Sequence, residues 1–245
     1  MEVVVLGTGG GWAKAGGAAS GYLISQDGFN MWVDAGTGTM ANLQRHIALE
    51  DVGAIVVSHR HFDHFLDLYP LFLARWYRKE GPRLSGLPLF APPGMFEHAL
   101  QLEEDLPLTF DPTVVEPGEE FHVGPFQVRT APMRHPVPTL GMRIETDGRA
   151  LAYSADTGPT VDLLALARDA DVLLSEATWL DFPPNASPIH LTASEAGEHA
   201  RDAGAGRLVL THVWPTYDPM AIAERAEETF GEVVTVAREG AKVEV

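Results

Sequence analysis

Apolar residues occur along this chain in short runs, and glycine, proline and acidic residues separate the runs. Runs rich in valine, leucine, isoleucine and aromatic side chains predict strands. These predicted strands cover residues 2–6, 22–25, 31–34, the apolar end of 51–57, 89–91, 113–115, 120–123, 126–130, 141–145, the start of 151–158, 172–175, 207–210, and segments near 233–237 and 241–245. Longer segments predict helices over 39–48, 65–77, about 92–102, near 160–168, 193–203 and 219–230. Strands and helices therefore alternate, with several hairpins among them.

Local signals add detail to this pattern. Thr192 and Glu195 have the spacing of a capping box at the start of the helix over 193–203. Residues 103–112 are acidic and irregular, which predicts a surface loop. The glycine-rich turn 7–11 lacks the Gly-Lys-Ser/Thr ending of a phosphate-binding loop, so a close approach of its backbone to a nearby site is the expected role.

Four potential metal ligands fall within six residues at a strand-to-helix turn: His59, His61, Asp63 and His64. From this turn, His59 and His61 can converge on one metal ion, and Asp63 and His64 can point to a second. Imidazole and carboxylate ligands without a thiolate suit zinc or a similar divalent ion. A polar turn with chance histidines is the alternative interpretation, and the density of ligands argues against it.

The charge balance restricts the classes of partner. The 245 residues include 17 lysines and arginines against 34 aspartates and glutamates, a formal charge of −17. RNA, DNA and anionic lipids require clustered cations, so broad electrostatic binding to these polyanions is not expected. The length is consistent with one large domain or with two closely fused halves.

Composition also bears on the compartment. The sequence has no cysteine, which excludes disulfides and thiolate ligands. Residues 1–6 lack the basic start and the long apolar core of a secretion signal. Because no apolar run reaches the length of a membrane span, we expect a soluble, cytoplasmic protein without a membrane partner.

The stretch from Ser58 to His64 follows the pattern H-x-H-x-D-H, and at every defined position it resembles the signature of the metallo-β-lactamase superfamily. The resemblance extends from Val3 to the C-terminus. It implies an α+β fold, an αββα sandwich with the metal site at one edge between two sheets. It also implies a single hydrolase domain over residues 1–245.

The resemblance implies two divalent metal ions, with zinc expected and with manganese or iron able to use the same ligands. The implied ligands are His59, His61 and His135 for the first ion, Asp63, His64 and His212 for the second, and Asp156 as a bridge. From the residues alone, a histidine such as His135 is more often a surface or capping residue, a carboxylate such as Asp34 is often a helix cap, and Asp156 could be an N-cap. For Asp34, the resemblance implies that its carboxylate orients a histidine ligand.

Within the superfamily, the second half of the chain resembles the branch of tRNase Z proteins and cyclic-nucleotide phosphodiesterases. The segments that carry this resemblance are Ser-Ala-Asp-Thr-Gly at 154–158, Glu-Ala-Thr-Trp at 176–179, His-Leu-Thr-Ala at 190–193 and Leu-Thr-His at 210–212. It implies that His190 contacts the scissile phosphate and protonates the leaving oxygen. It further suggests that Glu176 orients His190 and that Asp63 helps to orient the nucleophile. A capping or surface histidine is the alternative for His190.

Two departures from tRNase Z proteins bear on the substrate. Residues 12–17 lack the Arg-Asn pair found there in that family, and no basic tRNA-binding arm is inserted. Together with the acidic charge, these departures disfavour a large RNA and favour a small phosphodiester such as a 3′,5′-cyclic nucleotide, attacked by metal-bound hydroxide. Trp12, Trp179 or Trp214 could stack on its base or have a structural role.

Other functions stay open at this point. The same ligands serve a metallohydrolase of a lactone, thioester or β-lactam, and the branch includes tRNA 3′-processing endoribonucleases. A non-enzymatic metal-binding protein is a further alternative, although the full ligand set argues against a degenerate site. The resemblance also makes a homodimer an expectation, since dimers are common in this branch.

Overall fold

The structure, a computed structural model, describes residues 1–79 and 81–245. Over these residues the strands are β1 (Glu2–Gly7), β2 (Gly21–Gln26), β3 (Phe29–Val33), β4 (Ala54–Val56), β5 (Leu87–Ala91), β6 (Phe110–Val114), β7 (Glu120–Val123), β8 (Phe126–Pro132), β9 (Leu140–Thr146), β10 (Arg149–Tyr153), β11 (Val172–Glu176), β12 (Leu208–Thr211), β13 (Thr235–Val236) and β14 (Lys242–Glu244). The helices are α1 (Thr39–Leu43), α2 (Phe62–Phe65), α3 (Leu68–Trp76), α4 (Met95–Ala99), α5 (Val161–Ala167), α6 (Ala193–Ala203) and α7 (Pro219–Phe230), with 3-10 turns at Leu49–Asp51 and Leu106–Leu108.

The strands form two sheets of similar construction. The first has the spatial order β14-β1-β2-β3-β4-β5-β6, and it is antiparallel up to β3 and parallel from β3 to β6. The second has the order β13-β12-β11-β10-β9-β8-β7, antiparallel from β7 to β10 and parallel from β10 to β13. Each sheet therefore has a parallel part whose strands end at one edge.

Successive side chains of a strand point to opposite faces of its sheet, and this explains why the two sheets stack on each other with helices outside them. In β1, Val3 and Val5 pack into the core between the two sheets, whereas Val4 and Leu6 pack under the helices of the first sheet. A third apolar cluster joins the second sheet to α5, α6 and α7. Both faces of these strands are covered, and each fully buried valine, leucine, isoleucine, phenylalanine or methionine stabilises the fold by roughly 1.5–3 kcal/mol relative to exposure. The predicted αββα sandwich is confirmed.

The predicted elements agree with the structure at most positions, including the capping box of Thr192 and Glu195. The single helix predicted over 65–77 was wrong, because the chain forms α2 and α3 instead. The Asp67 amide donates to the Ala35 carbonyl, while the Asp63 carbonyl that a continuous helix would use accepts from Ser20. Contacts with a distant loop therefore interrupt the helix.

Three other segments differ from their predictions. The helix predicted over 39–48 ends at Leu43, and the one predicted over 92–102 spans only α4. The segment 103–112, predicted as a loop, contains a 3-10 turn and the start of β6. Strand β6 is an edge strand with mostly exposed side chains, so its acidic, proline-containing sequence lacks the apolar alternation that predicts a strand.

The carboxyl ends of the parallel strands bring the two sheets together. The Tyr153 hydroxyl, at the end of β10, donates to Asp34 Oδ2 beyond β3 at 2.7 Å. The Tyr22 hydroxyl in β2 is hydrogen-bonded to Thr211 Oγ1 in β12 at 2.7 Å. Ligand-bearing loops often gather at such an edge, and these buried bonds fix the two sheets to each other there. Among the described residues, no helix has the length and apolar character needed to cross a bilayer.

Candidate metal centre

The seven predicted ligands lie at one edge of the sandwich, in segments that follow strands. His59 follows β4, His135 follows β8, Asp156 follows β10 and His212 follows β12. Asp63 and His64 lie in the short helix α2. The structure brings these side chains into two adjacent groups: His59, His61, His135 and Asp156, and then Asp63, His64 and His212.

The first group converges through imidazole nitrogens. His61 Nδ1 lies 3.0 Å from His59 Nε2 and 2.9 Å from His135 Nε2. Asp156 Oδ2 is 3.6 Å from His59 Nε2 and 3.8 Å from His135 Nε2. Ligand atoms around a tetrahedral zinc with bonds of about 2.0–2.1 Å are separated by roughly 3.3 Å, so these distances suit one ion.

The second group uses the other oxygen of Asp156. Its Oδ1 lies 3.3 Å from His64 Nε2 and 3.3 Å from His212 Nε2. Asp63 Oδ2 is 3.2 Å from His212 Nε2 and 3.6 Å from His64 Nε2. Asp156 therefore faces both groups, with one carboxylate oxygen turned toward each.

Hydrogen bonds behind the histidines fix which ring nitrogen faces the centre. His64 Nδ1 is 2.8 Å from Asp34 Oδ2, and His135 Nδ1 is 3.1 Å from the Ile189 carbonyl. His59 Nδ1 is 3.0 Å from Ser58 Oγ, which itself donates to Asp34. Because each Nδ1 has an acceptor, each Nδ1 carries a hydrogen and each Nε2 presents a lone pair to the centre.

His212 is oriented in the same way by the second sheet. Its Nδ1 lies 2.9 Å from Thr178 Oγ1, and the Thr178 hydroxyl donates to Glu176. Glu176 ends β11 beside β12, and it is buried. The same carboxylate thus supports His212 through a hydroxyl and contacts His190 directly.

Two buried polar atoms test whether this centre fits a cation. His64 Nε2 and Asp156 Oδ1 are buried and have no hydrogen-bond partner within residues 1–79 and 81–245. The unprotonated nitrogens of His59, His61 and His135 also face one another at about hydrogen-bond distance, where lone pairs repel. A positive ion satisfies all these atoms together, so the residues fit divalent metal ions.

Burial keeps the first group of imidazoles neutral. The loss of solvation lowers the pKa of His59 well below its ordinary value and lowers the pKa of His135 to about 4. It also lowers the pKa of His61. All three rings are therefore unprotonated at pH 7, which is the form that binds a metal.

Attraction between opposite charges dominates the second group. Burial opposes ionisation of both carboxyls, yet the neighbouring histidines lower the pKa of Asp156 and of Asp63, with His212 and His64 the main contributors. Burial likewise opposes charge on His64, yet Asp156, Asp63 and Asp34 raise its pKa. These carboxylates attract positive charge to His64 Nε2, where a metal ion and a proton compete for one lone pair.

Asp34 is the centre of a buried hydrogen-bond network. Its carboxylate accepts from the Ser58 amide and hydroxyl, from Tyr153 and from His64 Nδ1, all at 2.7–2.8 Å. Asp34 also has a φ of 55°, in the left-handed region that its short polar side chain tolerates. The structure thus gives Asp34 the position behind a histidine that the resemblance implied.

The replacement Asp34→Asn is expected to lower metal affinity by about 10–100-fold, the usual effect of changing a partner behind a ligand. An amide cannot accept all four hydrogen bonds, so His64 loses its fixed tautomer and orientation. Competition with a chelator measures the affinity directly. Tyr153→Phe removes only one donor and serves as the milder control, and an unchanged affinity for Asp34→Asn contradicts the assigned role.

His190 lies at the rim of the centre, beside both groups. Its Nδ1 is 2.9 Å from Glu176 Oε1, and its ring stacks on His212 with centroids 5.6 Å apart. It could also join Asp156 and His212 as a third group of ligands. Burial opposes its charge, but Glu176 raises the pKa of His190 to about 9. Glu176 therefore favours the protonated ring, in which both nitrogens donate hydrogen bonds.

The glycine turn approaches the centre as expected from the sequence. A Cβ added at Gly10 would lie 2.9 Å from His212 Nδ1, and the Gly11 amide donates to Asp63 Oδ2 at 2.8 Å. The backbone here thus packs against one predicted ligand and holds another. The three tryptophans form a neighbouring cluster, in which Trp214 lies 4.5 Å from Trp12 and 4.7 Å from Trp179 between ring centroids.

Sequence reasoning missed three hydroxyls that support the centre: Ser58, Tyr153 and Thr178. Each lies inside a segment that carried the resemblance or directly beside one. Their contacts run to Asp34, His212 and neighbouring groups that are distant in sequence. A hydroxyl at a strand end has no distinctive spacing, so only its position next to a ligand motif could have indicated its role.

Comparisons with known proteins identify the family and the fold. Residues 30–213 match the family described as "Beta-lactamase superfamily domain". The chain is 30% identical to "Probable metallo-hydrolase YhfI" of Bacillus subtilis, over 98% of both chains. The crystal structure of that protein, described as a metallo-beta-lactamase fold protein, matches with a TM-score of 0.90 over 99% of this chain and 98% of the other.

Two further relatives carry more specific names. "Ribonuclease Z" of Methanopyrus kandleri is 30% identical, and the match covers 98% of this chain and 96% of the relative. A crystal structure described as a new diphosphatase from the PhnP family has a TM-score of 0.79 at 19% identity, covering 100% of this chain and 97% of the other. This second likeness concerns the fold alone.

Proposed function

We propose that this chain, which belongs to the β-lactamase superfamily and is a metal-dependent hydrolase, cleaves a small phosphodiester, with a 3′,5′-cyclic nucleotide as the expected substrate. The observation that carries the proposal is the pair of His190 and Glu176 at the rim of the metal centre. An alkoxide leaving group, such as the 3′-oxygen of a cyclic nucleotide, requires a proton as its bond to phosphorus breaks.

Two divalent ions, with zinc expected, are part of the proposal. His59, His61 and His135 would hold one ion, Asp63, His64 and His212 the other, and Asp156 would contact both through its two oxygens. When bound, such ions lower the pKa of water and stabilise negative charge on phosphoryl oxygens. Imidazole and carboxylate donors in a set without sulfur are consistent with zinc, manganese or iron.

The residues of the chain supply the proton transfer and the orientation. As a water oxygen bonds to phosphorus, with a proton of that water passing to solvent, the bond to the leaving oxygen breaks and His190 gives its proton to the leaving oxygen. His190 then takes a proton back from solvent. Glu176 keeps His190 protonated before the reaction and fixes its ring. Asp63, held by the Gly11 amide and still 12% exposed, orients the attacking water.

A second candidate is tRNA 3′ processing, which a specific observation favours. The relative named ribonuclease Z matches nearly its whole length at 30% identity. Against it stands the formal charge of −17, since binding to a long polyanion depends on neutralising its phosphates with lysine and arginine. Hydrolysis of a lactone, thioester or β-lactam uses the same ligands. Of these, only the thioester releases a thiolate, which has less need of a charged acid such as His190, so substrate trials must separate lactones and β-lactams from diesters.

Turnover by metal-analysed protein tests these alternatives directly. The substrates are bis(p-nitrophenyl) phosphate, cyclic AMP, a precursor tRNA and a simple lactone, each with and without chelator. We expect hydrolysis of both small diesters and its loss on chelation. Lactone cleavage without diester cleavage refutes the phosphodiesterase proposal, and efficient tRNA cleavage without cyclic AMP turnover replaces it with the RNA-processing alternative.

The replacement Glu176→Gln is expected to shift the alkaline limb of the pH–rate profile to lower pH. An acid catalyst is active below its pKa, so wild-type turnover falls as pH rises through about 9, the raised pKa of His190. Without the carboxylate, that pKa moves back toward the ordinary value of about 6.5. The position of the limb does not depend on how much protein is folded. A limb that stays in place contradicts the assigned role of Glu176.

A further inference from the structure

A small cavity opens beside His61 at the mouth of the metal centre. Its volume is about 260 Å³, and it is lined by Arg60, His61, Phe62, His98 and Val137. His61 belongs to the first ligand group, so the cavity adjoins the place where a substrate phosphate would lie. Arg60 and Phe62 occupy the two variable positions around His61 in the H-x-H-x-D-H pattern, and neither has a part in holding metal or moving protons.

Phe62 presents an unusual apolar surface at this mouth. Its side chain is 56% exposed, although Phe65 in the same helix is fully buried. One side of the Phe62 ring stacks on His98, with centroids 6.0 Å apart and an angle of 19° between the rings. The contact with His98 fixes the ring in place, so an exposed aromatic face is presented at the edge of the cavity.

Arg60 supplies an unpaired cation in the same cavity. It is exposed, and it forms no hydrogen bond or ion pair with any residue in the part of the chain that the structure describes. None of the other residues that line the cavity is acidic, although the chain as a whole has a formal charge of −17. A guanidinium left free at such a position is available to a ligand that offers hydrogen-bond acceptors in one plane.

We propose that this cavity, the Phe62 cavity, binds the nucleobase of a nucleotide substrate, with the base stacked on Phe62 and its acceptor edge on Arg60. The inference rests on the proposed function, because it gives the nucleotide substrate expected at that same site a binding place for its base. The volume is below the range of about 300–1,000 Å³ for pockets that hold drug-sized ligands. It therefore suits one planar ring system and not a longer stretch of nucleic acid.

Two matched diesters test the inference by turnover: cyclic AMP, and methyl riboside 3′,5′-cyclic phosphate, which has a methyl group in place of the base. The measured quantity is the ratio of their kcat/KM values. We expect Phe62→Ala to lower this ratio by about tenfold, within the range for loss of one aromatic stacking partner. Phe62→Leu, which keeps an apolar side chain without a ring, should lower the ratio similarly. Phe62→Trp, which keeps an aromatic ring, should leave the ratio at its wild-type value.

Arg60→Gln is expected to lower the same ratio by a smaller factor, because a neutral amide retains only part of the hydrogen bonding. Tyr77→Ala is the control, since Tyr77 is also an exposed aromatic, 62% accessible, but lies outside the cavity. Phe62 is exposed, so its replacement should have little effect on folding. A ratio that is the same in wild type and in all Phe62 variants overturns the inference while the phosphodiesterase function stands.

Binding without turnover separates this inference from the proposed function. Calorimetric titration compares AMP with ribose 5-phosphate on the wild type and on Phe62→Ala. We expect AMP to bind more tightly, by about tenfold, and this advantage to disappear in the variant. Equal binding of the two ligands by the wild type overturns the base site. If the protein hydrolyses neither diester but still binds AMP more tightly in a way that depends on Phe62, the proposed reaction is refuted and the base site stands.

Discussion

Replacing Asp156 with alanine is expected to release the metal from both ligand groups and to abolish hydrolysis. Asp156 is buried, and its two oxygens face different groups, 3.3 Å from His64 Nε2 and 3.6 Å from His59 Nε2. In the proposed centre of two ions, its removal would take one donor from each ion and leave the five histidines of the two groups without a shared carboxylate. We therefore expect a loss of activity greater than the roughly 100-fold that follows changes behind a ligand.

Elemental analysis of the purified variant and chelator-dependent turnover measure this result. Asp156→Asn keeps the volume and one carbonyl oxygen, and we expect it to retain part of the metal. Asp171→Ala is the matched control. The Asp171 carboxylate also accepts a hydrogen bond, from the Ala150 amide, but Asp171 precedes β11 and so lies at the end of that strand opposite to Glu176. A metal-free Asp156→Ala protein with full activity refutes the assigned centre, provided that its circular dichroism shows a native fold.

Replacing His190 with glutamine is expected to lower kcat for cyclic AMP by about 10²–10⁴-fold, the usual contribution of a positioned acid. The effect should be much smaller for methyl p-nitrophenyl phosphate, since p-nitrophenolate leaves readily without a proton. Metal content should stay unchanged, because His190 Nδ1 is bound to Glu176 and its ring is held as an imidazolium. The dependence on the leaving group distinguishes proton donation from a structural role.

The control for this prediction is His199→Gln; His199 is a buried histidine whose Nδ1 contacts the Glu195 carbonyl within α6. It tests whether loss of any buried imidazole lowers turnover through folding. An equal loss on both substrates with His190→Gln assigns His190 to binding rather than to proton transfer. Loss of metal in that variant instead assigns His190 to the third ligand group with Asp156 and His212.

Local sequence was sufficient for most elements and for one part of the centre. The spacing of His59, His61, Asp63 and His64 places potential ligands within a single turn, so their proximity needs no knowledge of distant contacts. The continuous apolar run of β1 likewise indicates a buried strand, and in the sandwich both of its faces are covered. Local sequence failed where distant backbone intervened, as in the break between α2 and α3, where the Asp67 amide bonds to Ala35.

The remaining ligands were predicted by resemblance rather than by physics. His135, Asp156 and His212 are single polar residues at strand ends, separated from the first motif by many residues. Each had an ordinary interpretation as a cap or a surface side chain. Their ligand assignment stays a prediction, and the structure supports it by bringing all three within reach of the histidine motif.

The sequence by itself determined the two-faced strands, the cluster of ligands at 59–64 and the acidic charge, because each is a property of neighbouring residues or of composition. Only the tertiary structure decided which oxygen of Asp156 faces which group, which nitrogen each histidine presents, and that Phe62 remains exposed beside Arg60. These features depend on contacts between loops from different strands, such as Asp34 with Tyr153. Packing of the two sheets creates those contacts, and no local pattern encodes their distances.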